Sequence, residues 1–147
     1  MGTPTFRHDP ALRAAYPELV AACLRVDGIT PSADVAALAA PHLAAARARL
    51  EGRMESELPE IAAWRRVFAR MGLKPTQYRC ASEALLRRLR TDGDLPSIHP
   101  LIDLANAVSV AFAVPVACFD LDRVAGSLEV RFAAGDERYE TFGGEVE

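Results

Sequence analysis

Hydrolytic or metal chemistry needs nucleophiles, bases or ligands at short, regular spacing, and this sequence places few such groups together. Its three histidines, His8, His42 and His99, are scattered, as are its three cysteines, Cys23, Cys80 and Cys118. No pair has metal-ligand spacing, and no glycine-rich turn between a strand and a helix suggests a phosphate cradle. His99 precedes Pro100 at the start of an apolar-periodic stretch and reads as a capping or surface residue. Cys118 has apolar neighbours and no histidine nearby in sequence, so it reads as an inert thiol. Asp120 and Asp122 close a short apolar run and read as turn-fixing carboxylates. Asn106 is the most informative polar residue. It falls mid-helix, where asparagine is a mediocre helix former. It is either an amide hydrogen-bonded to a neighbouring loop or a group that lines a pocket.

Charge gives a second pattern. Arg65, Arg66, Arg70, Lys74, Arg79, Arg87, Arg88 and Arg90 lie between residues 61 and 91, opposed there only by Glu83. From residue 118 onward, eight carboxylates face three arginines. A mildly acidic chain, with net charge -3, can therefore carry a local basic face. The guanidinium fork suits phosphate. The bland alternative is a set of solvated helical arginines.

These groups need elements to hold them. Pro100 suits the first turn of a helix, and Leu101, Leu104, Ala105, Val108 and Phe112 recur at helical spacing. Pro115 ends that helix, and Val116, Cys118 and Phe119 read as a short buried strand. Upstream, Glu18 to Val26 alternates and reads as a strand. Residues 33–55 are alanine-rich and helical, broken by Pro41 into a short helix to Ala40 and a longer one beyond it. Arg47, Arg49 and Arg53 with Glu51 and Glu55 read as a solvated face. Glu57 to Met71 carries an apolar stripe of Ile61, Trp64, Val67, Phe68 and Met71, stopped at Gly72. A further helix runs from about Ser82 to Arg90 with Leu85, Leu86 and Leu89 inward. Ser127 to Ala133 alternates as a strand, Gly135-Asp136 reads as a hairpin turn, and Arg138 to Phe142 as the return strand.

Length bounds the organisation. At 147 residues the chain reads as one domain, 1–147, with residues 1–17 as a polar lead-in. Half of the residues are hydrophobic and a quarter charged, as in ordinary globular proteins. No apolar run approaches the ~20 residues of a spanning helix, and the first residues lack a signal-peptide core. The expectation is a cytoplasmic protein with reduced cysteines and no membrane partner.

Several blocks, in order, then resemble a known family. WRRVFARMGLKPTQYR, SEALLRRL, LPSIHPLIDLANAVS and PVACFDLDRVAGSLEVRFAAGDERYETFGGE resemble the B3/B4 domain of the phenylalanyl-tRNA synthetase beta chain, and more closely its stand-alone relatives. The resemblance covers roughly residues 60–147. It implies binding of tRNA or aminoacyl-tRNA, and hydrolysis of the ester of a mischarged tRNA by a positioned water, with no metal or other cofactor. Carried over by position, the pocket falls on Ala105, Asn106, Ala117, Phe119 and Asp120, with Asn106 as the catalytic candidate. The family's Thr-Asn pair becomes Ala105-Asn106, and its pocket histidine falls on Ala117. The RNA-binding candidates are Arg65, Arg66, Arg70, Arg79, Arg87 and Arg88. Family members continue past Gly143-Gly144-Glu145 with a strand-rich segment. The sequence is thus expected to be a shortened member or a fragment, with an apolar sheet edge that a second copy, in a homodimer, would cover.

The expected architecture is α+β, with helices packed on a mostly antiparallel sheet. The helix at 100–112 should pack Leu101, Leu104, Val108 and Phe112 against strands at 115–119 and 127–133. The competing function is a non-catalytic module that binds a small amino-acid-like ligand or a protein partner.

Overall fold

The computed structural model describes residues 5–138. The chain forms two compact units, one from Met1–Arg25 with Phe119–Glu147 and the other from Val26–Cys118.

In the first unit, β1 (Phe6–His8) is followed directly by α1 (Pro10–Ala15), and β2 (Leu128–Val130) runs parallel to β1. The register pairs Phe6 with Leu128, Arg7 with Glu129 and His8 with Val130. A charge pair on one face fixes it, with Arg7 Nε 2.9 Å from Glu129 Oε1. Asp9 caps α1 by accepting the Ala11 N–H, and Pro10 occupies the first helical position.

The second unit is helical: α2 (Ala36–Leu50), α3 (Pro59–Arg70), α4 (Ala81–Asp92) and α5 (Pro100–Phe112), with a 3-10 turn at Glu55–Glu57. α5 packs on α2 and α4. The core gathers Ala46 and Leu50 from α2, Leu58 and Ile61 around the start of α3, Leu86 and Leu89 from α4, and Val110 and Ala113 from the end of α5. Trp64 and Phe68 close it from the side, with ring centroids 6.1 Å apart. Small residues, Ala46, Ala107 and Ala111, let α2 and α5 approach closely.

The helix ends follow the sequence signals. His99 caps α5 through Nδ1, which accepts the Leu101 N–H at 3.3 Å. Asp103 reaches back to accept from the Ile98 and His99 N–H groups and the Ser97 hydroxyl. Those donors, Ile98 and Ser97 first, hold its carboxyl below the usual carboxylate range. α4 stops at Gly93, which takes the left-handed φ of 82°. α5 stops at Ala113 with φ 55°, and Val114 N–H bonds the Ser109 carbonyl before Pro115 forbids a further turn.

Several expectations are corrected. The fold is not a mostly antiparallel sheet: it is helix-rich, and its only described sheet is the two-stranded parallel pair. Residues 18–26 form no strand, and Val20 and Leu24 are 88% and 87% exposed. Alternation makes a strand only where a neighbour supplies hydrogen bonds and a cover for the apolar face, and among the described residues none does. Residues 115–119 are not a strand either, so α5 has helices for neighbours, and Phe112 at its end is 57% exposed. Pro41 does not divide the helix. α2 runs through it, losing one backbone bond while the buried side chains of Ala39, Ala46 and Leu50 hold both halves. The Arg138 to Phe142 strand lies outside the described residues from 139 on.

Candidate functional site

α3 and α4 carry the arginines of the expected basic face, and two buried carboxylates take up much of their charge. Glu83, in the first turn of α4, is 1% exposed. Arg65 Nη1 donates to its Oε1 at 2.9 Å, and Arg79 Nε lies 3.9 Å from the same oxygen. Glu55, in the 3-10 turn before α3, is also buried. Arg90 Nε donates to its Oε2 at 2.8 Å, and Arg87 Nη1 stands 3.8 Å from its Oε1. Arg88 faces Asp92 at 3.4 Å one turn along α4.

The two carboxyls differ. Burial pushes the Glu83 carboxyl up from its ordinary value, against the pull of Arg65 and Arg79, and the nearby Glu55 charge adds to the rise. Burial acts on Glu55 too, but there the hydrogen bond from Arg90, a backbone N–H and the charges of Arg90 and Arg87 outweigh it and hold the carboxyl down. Among the described residues Glu83 Oε2 has no hydrogen-bond partner.

The α2 arginines are a solvated face only in part: Arg47, Glu51 and Arg53 are exposed, whereas Arg49 is half-buried. Arg49 grips both oxygens of Glu60, at 2.8 and 2.7 Å, and donates to the Ala111 carbonyl at the end of α5. Arg47 donates to the Gly93 carbonyl at the end of α4. Both place a cation at a helix C-terminus, where the dipole is negative. Glu55, expected opposite these arginines, pairs with α4 instead. Of the RNA-binding candidates, Arg65, Arg79, Arg87 and Arg88 thus have carboxylate partners. Arg66 and Arg70 lie exposed on the outer face of α3, and among the described residues the Arg66 side chain has no ion pair or hydrogen bond.

The pocket candidates divide between the two units. Ala105 and Asn106 are half-buried on α5, and Ala117 is exposed just after it. Phe119 and Asp120 are exposed and belong to the other unit. Asp120 Oδ1 accepts the Asp122 N–H at 3.1 Å and caps the 3-10 turn Leu121–Arg123, the turn-fixing role expected of it. The Asn106 amide makes no hydrogen bond to any described residue, so it is not spent on a neighbouring loop. Burial pushes the Cys118 thiol up, away from the thiolate that a nucleophile needs.

A depression of 430 Å³ lies between Pro31, Asp34 and Val35 before α2 and Ser97, His99 and Asp103 at the start of α5. None of the expected site residues lines it. Its polar groups already cap helices: Asp34 accepts the Ala36 N–H, and His99 and Asp103 are engaged as described. Among the described residues no three His, Cys, Asp or Glu side chains converge as a metal site, and no helix is long and apolar enough to cross a membrane.

The long-range partners were beyond sequence reasoning. Glu55 and Arg90 are 35 positions apart, and nothing local pairs them.

Comparison with known proteins fixes the family. The B3/4 domain family matches residues 63–147. The chain belongs to the B3/4 domain family. Curated relatives are phenylalanine–tRNA ligase beta subunits. Those of Photorhabdus laumondii and Shewanella oneidensis are each 28% identical, over 119 and 120 residues, or 79% of this chain and 15% of theirs. That of Coxiella burnetii is 43% identical over 54 residues, 37% of this chain and 7% of its own. The chain therefore spans about 15% of the length of the relatives it matches most extensively. No solved structure matches it. The matched region contains α4, α5 and most of α3 and begins one residue before Trp64, so the Arg65–Glu83 pair and Asn106 both lie inside it.

Proposed function

We propose that this B3/4 domain binds tRNA or aminoacyl-tRNA in the cytoplasm and acts there in translation. The observation that carries this reading is the family match over 63–147, supported by relatives that are subunits of a tRNA ligase. The charge of α3 and α4 is compatible with it. Hydrolysis of a mischarged ester is the sharper form of the proposal. In that form the half-buried Asn106 amide, next to Ala105 on α5, orients a water or the ester carbonyl. An amide can donate and accept hydrogen bonds, but it is not a general base at neutral pH. The purified chain should therefore bind tRNA with an affinity that falls as salt rises, and should be offered a panel of mischarged tRNAs for deacylation. Binding that ignores salt, or no binding at low salt, would overturn the RNA reading.

The second reading is a non-catalytic module for a small amino-acid-like ligand or a protein partner. It is favoured by Ala117, an alanine where the family resemblance placed a histidine, and by α5 itself. Asp103 is the only ionisable residue of that helix, and its carboxylate is already occupied by three donors. Tight tRNA binding without turnover of any mischarged species would sink hydrolysis and leave binding intact.

A further inference from the structure

Most cations of the helical unit are tied to carboxylates or helix ends. The positive charge that faces outward is therefore narrower than the sequence implies. Arg66 and Arg70 sit one turn apart on the outer face of α3, about 6 Å along the axis, opposite the Ile61, Trp64 and Phe68 stripe. Gly72, at φ 80°, turns the chain out of the helix, and Lys74 follows, exposed. Among the described residues the Arg66 and Lys74 side chains have no ion pair or hydrogen bond.

An aromatic residue lies one backbone turn beyond Lys74. The Lys74 carbonyl accepts the N–H groups of both Gln77 and Tyr78 at 2.9 Å, so a turn sets Tyr78 beside Lys74. Arg79 stitches the turn from its far side, with Nη2 donating to the Thr76 carbonyl at 2.9 Å and Nε turned towards Glu83. The turn is thereby anchored to the α4 carboxylate. Tyr78 is 46% exposed, and its hydroxyl has no hydrogen-bond partner among the described residues. A tyrosine on a braced turn that begins at Lys74, and nearly half exposed, contributes little to the core.

We propose that Arg66, Lys74 and Tyr78 form a docking surface for a single-stranded segment of RNA. Its phosphates lie along the cations, and one unpaired base stacks on the Tyr78 ring. This rests on the reading that the chain binds tRNA and adds to it where and in what form the RNA is held. The choice of single strand follows from the ring: a base inside a duplex presents no free face to stack on, whereas an unpaired base does. Stacking tolerates any base, so the surface selects single-strandedness rather than sequence. Arg65, Arg79, Arg87 and Arg90 are assigned a different task, holding Glu83 and Glu55 inside the fold.

The test uses the full chain with three probes: unfractionated tRNA, a short mixed-sequence RNA strand, and that strand annealed to its complement. Affinity is read by fluorescence anisotropy over a salt series. The single strand should bind more tightly than the duplex. Tyr78→Ala should weaken single-strand binding about tenfold, and Tyr78→Phe should restore it, because the ring and not the hydroxyl does the stacking. The double variant Arg66→Ala, Lys74→Ala should lower the slope of log affinity against log salt by roughly one to two. The three substituted positions are exposed, and unchanged circular dichroism and melting show that the variants fold. If tRNA binds but these variants match the wild type, or strand and duplex bind alike, the surface is wrong while the tRNA reading stands. If no RNA binds at low salt, the tRNA reading itself fails, and an acidic protein segment becomes the partner to seek.

Discussion

Arg65 Nη1 donates to Glu83 Oε1 at 2.9 Å, while the other oxygen of that buried carboxylate has no hydrogen-bond partner among the described residues. The pair joins α3 to α4 but leaves one buried carboxylate oxygen unengaged among the described residues. Removing only the acid would leave Arg65 and Arg79 without their shared partner. Glu83→Ala is therefore expected to destabilise the fold by about 2 kcal/mol, below the scale for stripping one member from a fully buried ion pair, because the Arg65 and Arg79 side chains are 26% and 33% exposed. Urea denaturation checks it, and a loss under about 1 kcal/mol would mean that the pair contributes little.

The two buried carboxyls should oppose each other in pH. Glu55 sits below its ordinary value of 4.5 in the folded chain, so its contribution is present above 4.5 and is lost as pH falls through the lower folded value. Glu83 is raised above 4.5, so between 4.5 and its folded value the native state binds the extra proton. In that window stability falls as pH rises. Thermal melts of wild type and Glu83→Gln across pH should show the variant gaining on the wild type as pH rises through the raised value. A constant difference between the two curves would contradict the assignment.

Ala113 ends α5 in the left-handed region, where a Cβ costs roughly 1–2 kcal/mol. It is fully buried, and its methyl group contributes on the order of 0.8 kcal/mol of burial. These terms nearly cancel, so Ala113→Gly should shift stability by less than about 1 kcal/mol. Ala113→Val adds β-branching at positive φ and volume in the core, and should cost several times as much, about 3 kcal/mol or more. Equal effects of the two variants would show that the backbone conformation is not what limits this position.

What was legible in the sequence follows local physics. Pro100, His99 and Pro115 delimit α5 correctly, because a proline at each end acts on its own neighbours. Pro59 and Gly72 frame α3 for the same reason. The family resemblance was legible because its blocks keep their order, and the match over 63–147 bears it out. The sheet was not legible. The alternation of Glu18 to Val26 is a request for a partner strand, and a request carries no information about whether one exists. Phe112 continued an apolar stripe, yet α5 buries the adjoining face, Ala107, Val110 and Ala111, and the ring is left facing outward, 6.2 Å from His42. The pairing of Glu55 with Arg90 and Arg87 depends on the tertiary approach of the turn before α3 to α4. It turned a run of arginines that reads as an open basic face into one that is partly internal wiring.

The same distinction decides how Asn106 can be tested. On an α-helix interior asparagine is worse than alanine by about 0.5 kcal/mol, and here its amide has no described partner to lose. Asn106→Ala should therefore leave stability unchanged or slightly raised, which frees the substitution from the usual ambiguity between folding and function. If the chain deacylates mischarged tRNA through this amide, the same substitution should lower the rate by roughly 10- to 1000-fold, the scale of one well-placed hydrogen bond in a transition state. The rate should also lack an inflection near a histidine pKa of about 6.5, since Ala117 stands at the position expected for one. Single-turnover deacylation measured from mildly acidic to mildly basic pH reads both. A folded Asn106→Ala protein that hydrolyses as fast as the wild type would place the chemistry elsewhere than on α5.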